Sequence, residues 1–247
     1  MKPTIAIFSL TGCEGCSLAI LELEDILLDL LGAVEIVNFR EAMTERSWDI
    51  DIGFVDGAVS TPTDEEEVQH FRKHSKALVA IGSCACTGGL NTLKNHQPEE
   101  QYRQYVYGDQ AKHFGNTPAR PISAIVDVDY ELPGCPMNGQ EFVRLVKCLL
   151  SNQPFHLPDT PVCAECKRQG NLCLYEKNII CLGPITRAGC GAICPSYGAK
   201  CEGCRGLVDE ETLKAARINL REQYNISLDD ILADLRLFGA YQEKTLP

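Results

Sequence analysis

Eight of the fourteen cysteines in this chain fall between residues 163 and 204, in a stretch with little hydrophobic periodicity. Such a stretch cannot bury enough apolar surface to fold on its own, so bound metal must supply much of its stability. We expect no secretory leader, and many cysteines in that context are more typical of metal ligands than of disulfides. A secreted disulfide scaffold fits poorly, because such scaffolds are small and much of this chain is ordinary α/β sequence.

The totals argue against several classes of partner. The chain has 247 residues, 45% of them hydrophobic, which is enough for a large domain with a proper core. Its formal net charge of −11 argues against nucleic acid or an anionic membrane surface as the main partner. The longest apolar runs are short and interrupted by acidic residues, so we expect no membrane span.

The first 151 residues alternate between strand-like and helix-like patterns. Apolar runs predict strands at residues 4–9, 34–39, 50–55, 77–81 and 122–128. Helical periodicity predicts helices at residues 17–31, 64–74 and 140–150, and we expect a loop-rich insertion at residues 92–121. This alternation predicts an α/β fold with a mostly parallel, doubly wound sheet.

A second region begins at residue 152, where the composition changes. Three prolines within residues 154–161 mark a linker, and a small cysteine-rich domain with little regular structure follows. Helical patterns return at residues 209–220 and 227–235, with Ser227 as a candidate N-cap. We therefore divide the chain into domains at residues 1–151 and 152–247.

Four cysteines follow three of the predicted strands. Cys13 and Cys16 come after the first strand, Cys84 after the fourth and Cys135 after the fifth. Functional groups of a doubly wound sheet gather at the carboxyl ends of its strands, so we expect these thiols to meet there. Four cysteines suit a [4Fe–4S] cluster. Structural zinc is the alternative, although one close pair with two distant single cysteines suits the larger cluster better.

The eight later cysteines are enough for two more four-ligand centres. One run has the spacing Cys163-x2-Cys166-x6-Cys173-x7-Cys181, and the other has Cys190-x3-Cys194-x6-Cys201-x2-Cys204. Spacing alone does not fix how the eight divide into two groups. A zinc ribbon that pairs Cys163 and Cys166 with Cys201 and Cys204 is an alternative, but it leaves the other four unexplained.

The remaining reactive residues suggest less chemistry. Cys148 fits the apolar side of a helix and is most simply a core residue, whereas Cys86 could compete with Cys84 as a ligand. Glu14 is most simply a solvated acid, with tuning of a cluster as the alternative. The sequence carries no phosphate-binding loop and no dinucleotide fingerprint, so no motif predicts a nicotinamide or flavin site on this chain.

The cysteine motifs resemble those of one family. The order C-x2-C, then Gly82-x-Cys84-x3-Gly88, then Gly134-Cys135-Pro136 is similar to the small, electron-transferring subunit of [NiFe] hydrogenases. The resemblance implies a flavodoxin-like domain with a proximal [4Fe–4S] cluster, and it favours Cys84 over Cys86. We call its implied ligands the proximal set: Cys13, Cys16, Cys84 and Cys135.

The second region resembles the same family. Residues 173–176 and 181–184 are similar to its distal-cluster segment, with Cys163 where the family often has histidine; the distal set is Cys163, Cys166, Cys173 and Cys181. Cys190 and residues 201–204 are similar to its medial-cluster segment. Many relatives have three cysteines there, and Cys194 would supply a fourth. The medial set is Cys190, Cys194, Cys201 and Cys204, and we expect a [4Fe–4S] cluster there too.

The resemblance implies an electron relay with no catalytic residue of its own. Electrons would pass between a nickel–iron centre on a separate large subunit and a flavin or iron–sulfur partner, through the proximal, medial and distal clusters in turn. That partner would be a diaphorase, a ferredoxin-like chain or a disulfide-reductase subunit. The absence of a leader and the Gly-Cys-Pro-Met-Asn form of residues 134–138 look like the cytoplasmic group 3 branch, of the sulfur-, NADP- or viologen-reducing types.

Two other functions stay open on the sequence. One is the cluster-bearing subunit of a complex I-like oxidoreductase, which has the same fold but usually a single cluster. The other is a zinc-stabilised binding module without a redox role.

Overall fold

A five-stranded parallel sheet forms the first part of the computed structural model, which describes residues 2–242. The strands are β1 (Thr4–Ser9), β2 (Glu35–Phe39), β3 (Ile50–Asp56), β4 (Ser75–Ile81) and β5 (Tyr130–Leu132). Their order across the sheet is β2-β1-β3-β4-β5, and every neighbouring pair is parallel. This is the flavodoxin-like order, so the predicted α/β fold class is confirmed.

Helices cover the sheet and continue through the second region. They are α1 (Gly15–Leu21), α2 (Asp25–Ala33), α3 (Pro62–His74), α4 (Gly82–Thr87), α5 (Glu99–Tyr107), α6 (Gly139–Leu150), α7 (Val162–Arg168), α8 (Ile193–Ser196), α9 (Glu210–Tyr224) and α10 (Leu228–Gly239). Within residues 2–242, no helix combines the length and apolar character needed to cross a membrane.

Two hydrophobic cores lie on the two faces of the sheet. Alternate strand residues face opposite sides, so Ile7 and Phe54 enter one core while Phe8 and Val55 enter the other. The first core also contains residues of α1 and α6, and the second contains Val68 and Phe71 of α3. The sheet is therefore covered on both faces, as the doubly wound prediction requires.

The single helix predicted over residues 17–31 is wrong, because the chain forms α1 and α2 instead. The break falls at Glu24, whose φ of 49° lies in the left-handed region. Before it, the N–H of Leu23 bonds to the carbonyl of Ile20, which is the tighter three-residue pattern of a closing helix end. Both helices place apolar side chains against the same core.

The predicted fifth strand over residues 122–128 is also wrong, because β5 is Tyr130–Leu132. Ile122–Ala124 form a short 3₁₀ turn, and Ile122 is fully buried in the second core. Pairing with β4 begins only at Asp129, whose N–H donates to the carbonyl of Leu78 at 2.9 Å. A short apolar run is equally consistent with a strand and with an irregular core segment, so periodicity alone could not place β5.

The insertion at residues 92–121 is more helical than predicted. It contains α5, the 3₁₀ segment Gly108–His113 and part of the 3₁₀ segment Gly89–His96. By contrast, the predicted Ser227 N-cap is confirmed, because the Ser227 side chain accepts the Asp230 N–H and the Asp230 carboxylate accepts the Ser227 backbone N–H.

Small cores and polar contacts hold the second region. One core, which includes Val162, Leu174 and Leu220, is built partly from cysteines of the distal and medial sets. The other joins α9 and α10 through Leu213, Ala216, Ile231 and Leu235. The Thr87 hydroxyl on α4 donates to the carbonyl of Phe238 on α10 at 2.8 Å, which ties this region to the sheet domain.

Candidate iron–sulfur sites

The proximal set meets at the carboxyl edge of the sheet. Cys13 and Cys16 lie where β1 passes into α1, Cys84 lies on α4 directly after β4, and Cys135 follows β5. The N–H of Ser83 donates to the carbonyl of Gly134 at 2.7 Å, which holds the loops of Cys84 and Cys135 together. Cys16 is buried, whereas Cys13 and Cys135 are exposed.

The backbone around the proximal set leaves room only for glycine at Gly82. Its φ is +82°, and a Cβ there would overlap the Cys16 sulfur. Glycine occupies this backbone region without the steric penalty that other residues incur. The turn that joins β4 to α4 therefore brings its backbone directly against a thiol of the set.

The proximal thiols affect one another's ionisation. The pKa of Cys84 is raised to about 12, mainly by burial, and the charges of Asp56, Cys135 and Cys13 add to the shift. Burial also raises the pKa of Cys16 and of Cys135. Clustered thiolates of this kind need a cationic partner, and a thiolate-ligated iron centre is one.

The distal set surrounds a small cavity of about 60 Å³. Cys163 and Cys166 are on α7, Cys173 precedes a 3₁₀ turn and Cys181 is buried further along the chain. Burial raises the pKa of Cys163 to about 12, with further increases from the charges of Cys181, Cys166 and Cys173. All four distal thiols are therefore neighbours.

The medial set lines a larger cavity of about 530 Å³ together with Cys135. Burial raises the pKa of Cys204 to about 11, and the charges of Cys190 and Cys194 contribute to the increase. Burial also raises the pKa of Cys201 to about 12, and Cys204 is among the charges that add to it. The structure thus brings the four medial cysteines together as a second neighbouring group.

Contacts between sets place the three groups in a row. Cys135, a proximal residue, lines the same cavity as the medial Cys204, and the hydroxyl of Ser83, next to the proximal Cys84, donates to the carbonyl of Cys204. The N–H of the medial Cys201 donates to the distal Cys181 sulfur at 3.2 Å. The spatial order is therefore proximal, medial, distal.

The zinc-ribbon grouping receives no support from these contacts. The thiols that act on Cys163 are Cys181, Cys166 and Cys173, whereas Cys201 lies with Cys204 and Cys181. Over residues 2–242, no group of three or more His, Cys, Asp or Glu side chains is arranged to hold a single metal ion.

The other sequence candidates occupy different surroundings. Cys86 is buried in the second core, and its thiol donates to the carbonyl of Ala80 at 3.4 Å. Cys148 packs against the first core. Glu14 adopts a left-handed φ of 60° and forms an ion pair with Arg40.

Three polar residues near the thiols were missed from the sequence. Asp56 is buried at the end of β3 and accepts the Ser17 N–H at 3.4 Å, and burial raises its pKa. Asn91 donates to the Cys84 sulfur at 3.4 Å, and Asn171 donates to the Cys166 sulfur at 3.6 Å. Asp56 could have been predicted from the expectation that functional groups gather at the carboxyl ends of the strands, because β3 ends at the same edge of the sheet as β1.

Comparison with known proteins agrees with this geometry. Residues 13–149 match the family described as NADH ubiquinone oxidoreductase, 20 Kd subunit. Sulfhydrogenase 2 subunit delta of Pyrococcus furiosus is 40% identical over 204 residues, covering 82% of this chain and 85% of the relative. A subunit of the F420-non-reducing hydrogenase vhu of Methanococcus voltae is 33% identical, covering 100% of this chain and 96% of the relative.

A solved structure is similar over part of the chain. A chain of an NAD+-reducing [NiFe]-hydrogenase in its H2-reduced state aligns with a TM-score of 0.57 and 29% identity. The alignment covers 64% of this chain and 96% of the hydrogenase chain. The sheet and its strand-end cysteines define a flavodoxin-like protein with candidate iron–sulfur sites. The chain belongs to the NADH ubiquinone oxidoreductase 20 Kd subunit family, in its branch of [NiFe] hydrogenase small subunits.

Proposed function

We propose that this chain is the electron-transferring small subunit of a cytoplasmic group 3 [NiFe] hydrogenase, with three [4Fe–4S] clusters. The observation that carries the proposal is the row of three four-thiol sets, joined by the cavity that Cys135 and Cys204 both line and by the contact between Cys201 and Cys181. Successive sites in contact provide a continuous path through the chain. A binding module without a redox role would not need three such sites in sequence.

The donor sets fit the proposed clusters. Four thiols in each set match the cysteine ligation of a [4Fe–4S] cluster, which supplies one-electron redox chemistry when bound. The ligands would be the proximal set Cys13, Cys16, Cys84 and Cys135, the medial set Cys190, Cys194, Cys201 and Cys204, and the distal set Cys163, Cys166, Cys173 and Cys181.

The surroundings of the sulfurs would adjust the reduction potential of each site. The N–H of Met137 donates to Cys16 at 3.5 Å, Asn91 donates to Cys84 and the Cys201 N–H donates to Cys181. Hydrogen bonds to ligating sulfur and exclusion of solvent are the means by which a protein sets cluster potentials. This chain would therefore position and tune the redox groups, and bond breaking would take place on the large subunit.

The ends of the row would face different partners. The exposed Cys13 and Cys135 place the proximal set at the surface of the sheet domain, where a large subunit with the nickel–iron centre would bind. The distal set lies at the other end and would face a flavin or iron–sulfur partner, such as a diaphorase, ferredoxin-like or disulfide-reductase subunit. The names of the relatives, a sulfhydrogenase and an F420-non-reducing hydrogenase, support the hydrogenase assignment.

A second candidate is the cluster-bearing subunit of a complex I-like oxidoreductase. The family match over residues 13–149 favours it, because that family takes its name from the respiratory subunit. The cysteine-rich region lies outside the matched residues, and the hydrogenase relative from Methanococcus voltae covers it. The hydrogenase function therefore accounts for more of the chain.

The test is an anaerobic purification of the tagged chain from its native host. We expect a nickel-containing large subunit to co-purify, and hydrogen to reduce the clusters as followed by electron paramagnetic resonance (EPR). The variant Cys84→Ala should lose this hydrogen-dependent signal, whereas the matched control Cys148→Ala, which removes a thiol outside all three sets, should keep it. Absence of a nickel-containing partner, or equal behaviour of the two variants, would contradict the proposal.

A further inference from the structure

A buried arginine lies where the two regions of the chain meet. Arg205 directly follows the medial Cys204 and is 2% exposed. Its guanidinium donates from Nη1 to Glu141 Oε2 at 2.8 Å and from Nη2 to Glu141 Oε1 at 3.1 Å, a bidentate pair with a carboxylate of α6. A buried charge pair is costly to desolvate, so its placement needs a reason.

The remaining donors of Arg205 reach the loops of two other ligands. Nε donates to the carbonyl of Ala188 at 2.9 Å, two residues before the medial Cys190. Nη1 also donates to the carbonyl of Pro133 at 2.8 Å, two residues before the proximal Cys135. One side chain thus binds the ligand loops of both the proximal and the medial sets.

The backbone of Gly189 packs tightly against the ion pair of Arg205 and Glu141. Gly189 has a φ of +124°, and a Cβ there would overlap both the guanidinium of Arg205 and the carboxylate of Glu141. The loop that precedes Cys190 therefore lies directly on the ion pair.

The charge of Arg205 is held close to the medial site. The residue directly follows the ligand Cys204, and its guanidinium is buried between the loops that precede Cys190 and Cys135. A buried cation stabilises the more negative, reduced form of a thiolate-ligated cluster, while a carboxylate beside it has the opposite effect. Arg205 and Glu141 would therefore act on the medial site with opposite signs.

We propose that Arg205 is a positioning residue that fixes the medial site against the proximal site, and that its charge balance with Glu141 sets the reduction potential of the medial cluster. This inference rests on the proposed function. A purely structural ion pair would behave differently, because removing either partner would then disturb the site in the same way.

The test is an EPR-monitored redox titration of the purified complex. Glu141→Gln should raise the midpoint potential of the medial cluster, since the guanidinium loses its counter-charge. Arg205→Met should lower it, and the double variant should lie between the two single variants. Arg205→Lys should lower it less than Arg205→Met, because it keeps the charge but not the bidentate contact.

The matched control removes a cation that is also close to Glu141 but is exposed to solvent. Arg144 on α6 lies 3.9 Å from Glu141 with its side chain 51% exposed, so Arg144→Met should leave the potential unchanged. If the Arg205→Met protein does not fold and accumulate, the comparison of Glu141→Gln with Arg144→Met still tests whether the buried charges set the potential of the medial cluster. An unchanged or lowered potential in Glu141→Gln would overturn the inference, as would shifts of the same sign in Glu141→Gln and Arg205→Met. Loss of the proposed function would differ, because the unmodified complex would then lack the medial signal altogether.

Discussion

At the scale of single residues, the proximal site depends on close approach between backbone and sulfur. Gly82 has a φ of +82°, and a Cβ at this position would overlap the Cys16 sulfur. Gly170 has a φ of +71°, but no atom lies near the position that its Cβ would occupy. The two glycines therefore separate the cost of backbone strain from the cost of crowding a thiol.

Gly82→Ala and Gly170→Ala should both destabilise the protein, because a side chain in the left-handed region costs on the order of 1–3 kcal/mol. Only Gly82→Ala should also displace Cys16 and lose iron from the proximal site. Thermal unfolding and iron content of the purified variants measure the two effects. Equal iron in both variants would contradict the close approach that the structure shows.

Cys194 is the residue on which a fourth ligand at the medial site depends. Cys194→Ala leaves three medial thiols, and three cysteines suit a [3Fe–4S] centre better than a [4Fe–4S] one. We expect the iron content to fall from about twelve to about eleven per chain, and a [3Fe–4S] EPR signal to appear in the oxidised protein. An EPR spectrum and iron content unchanged from the parent protein would show that Cys194 is not a ligand.

At the scale of the elements, the edge strand β5 holds a partly buried carboxyl group, that of Glu131. Burial raises the pKa of Glu131 above its ordinary value of 4.5, and the charge of Arg187 opposes this only in part. A raised folded-state pKa means that the folded protein binds the proton more tightly than the unfolded chain. The ionised group therefore destabilises the fold increasingly as the pH rises from about 4.5 through the folded-state pKa.

Glu131→Gln should accordingly raise stability at pH 7, and its advantage should shrink as the pH falls toward 5. Urea unfolding at several pH values measures the difference. Glu35→Gln is the control, because Glu35 is an exposed carboxylate on the opposite edge strand β2. A gain that is the same at every pH, or equal in the two variants, would rule out burial of the charge as the cause.

Much of this element-level architecture could be predicted from local pattern. The strand-end positions of Cys13, Cys16 and Cys84 follow from apolar runs and their turns, and the capped start of α10 follows from Ser227 and Asp230. The break at Glu24 has no proline or glycine to signal it. The apolar residues within 122–128 pack in the second core and do not form a strand.

Contacts across the sequence could not be predicted in the same way. Arg205 and Glu141 are 64 residues apart, and neither belongs to a periodic pattern that points to the other. The medial and distal grouping also needed more than spacing, because eight cysteines in one stretch divide in several ways. The folded chain shows which thiols are neighbours, which the sequence pattern does not, and the division into medial and distal ligands stays a prediction.

At the scale of the whole molecule, the two regions rest on different forces. The sheet domain has two apolar cores, whereas one core of the second region is built partly from the thiols themselves. Iron removal should therefore loosen residues 163–204 far more than the sheet, since bound metal contributes directly to the folding of such regions. Hydrogen exchange before and after anaerobic chelation tests this, and equal loss of protection in β3 and in α7 would contradict it.

The three sets together give the molecule its proposed role as an electron path, and the iron and acid-labile sulfide content of the chain tests that claim most directly. Anaerobically prepared protein should contain about twelve iron and about twelve sulfide per chain, as three [4Fe–4S] clusters require. Zinc without sulfide would contradict the account, and so would enough iron for only one cluster.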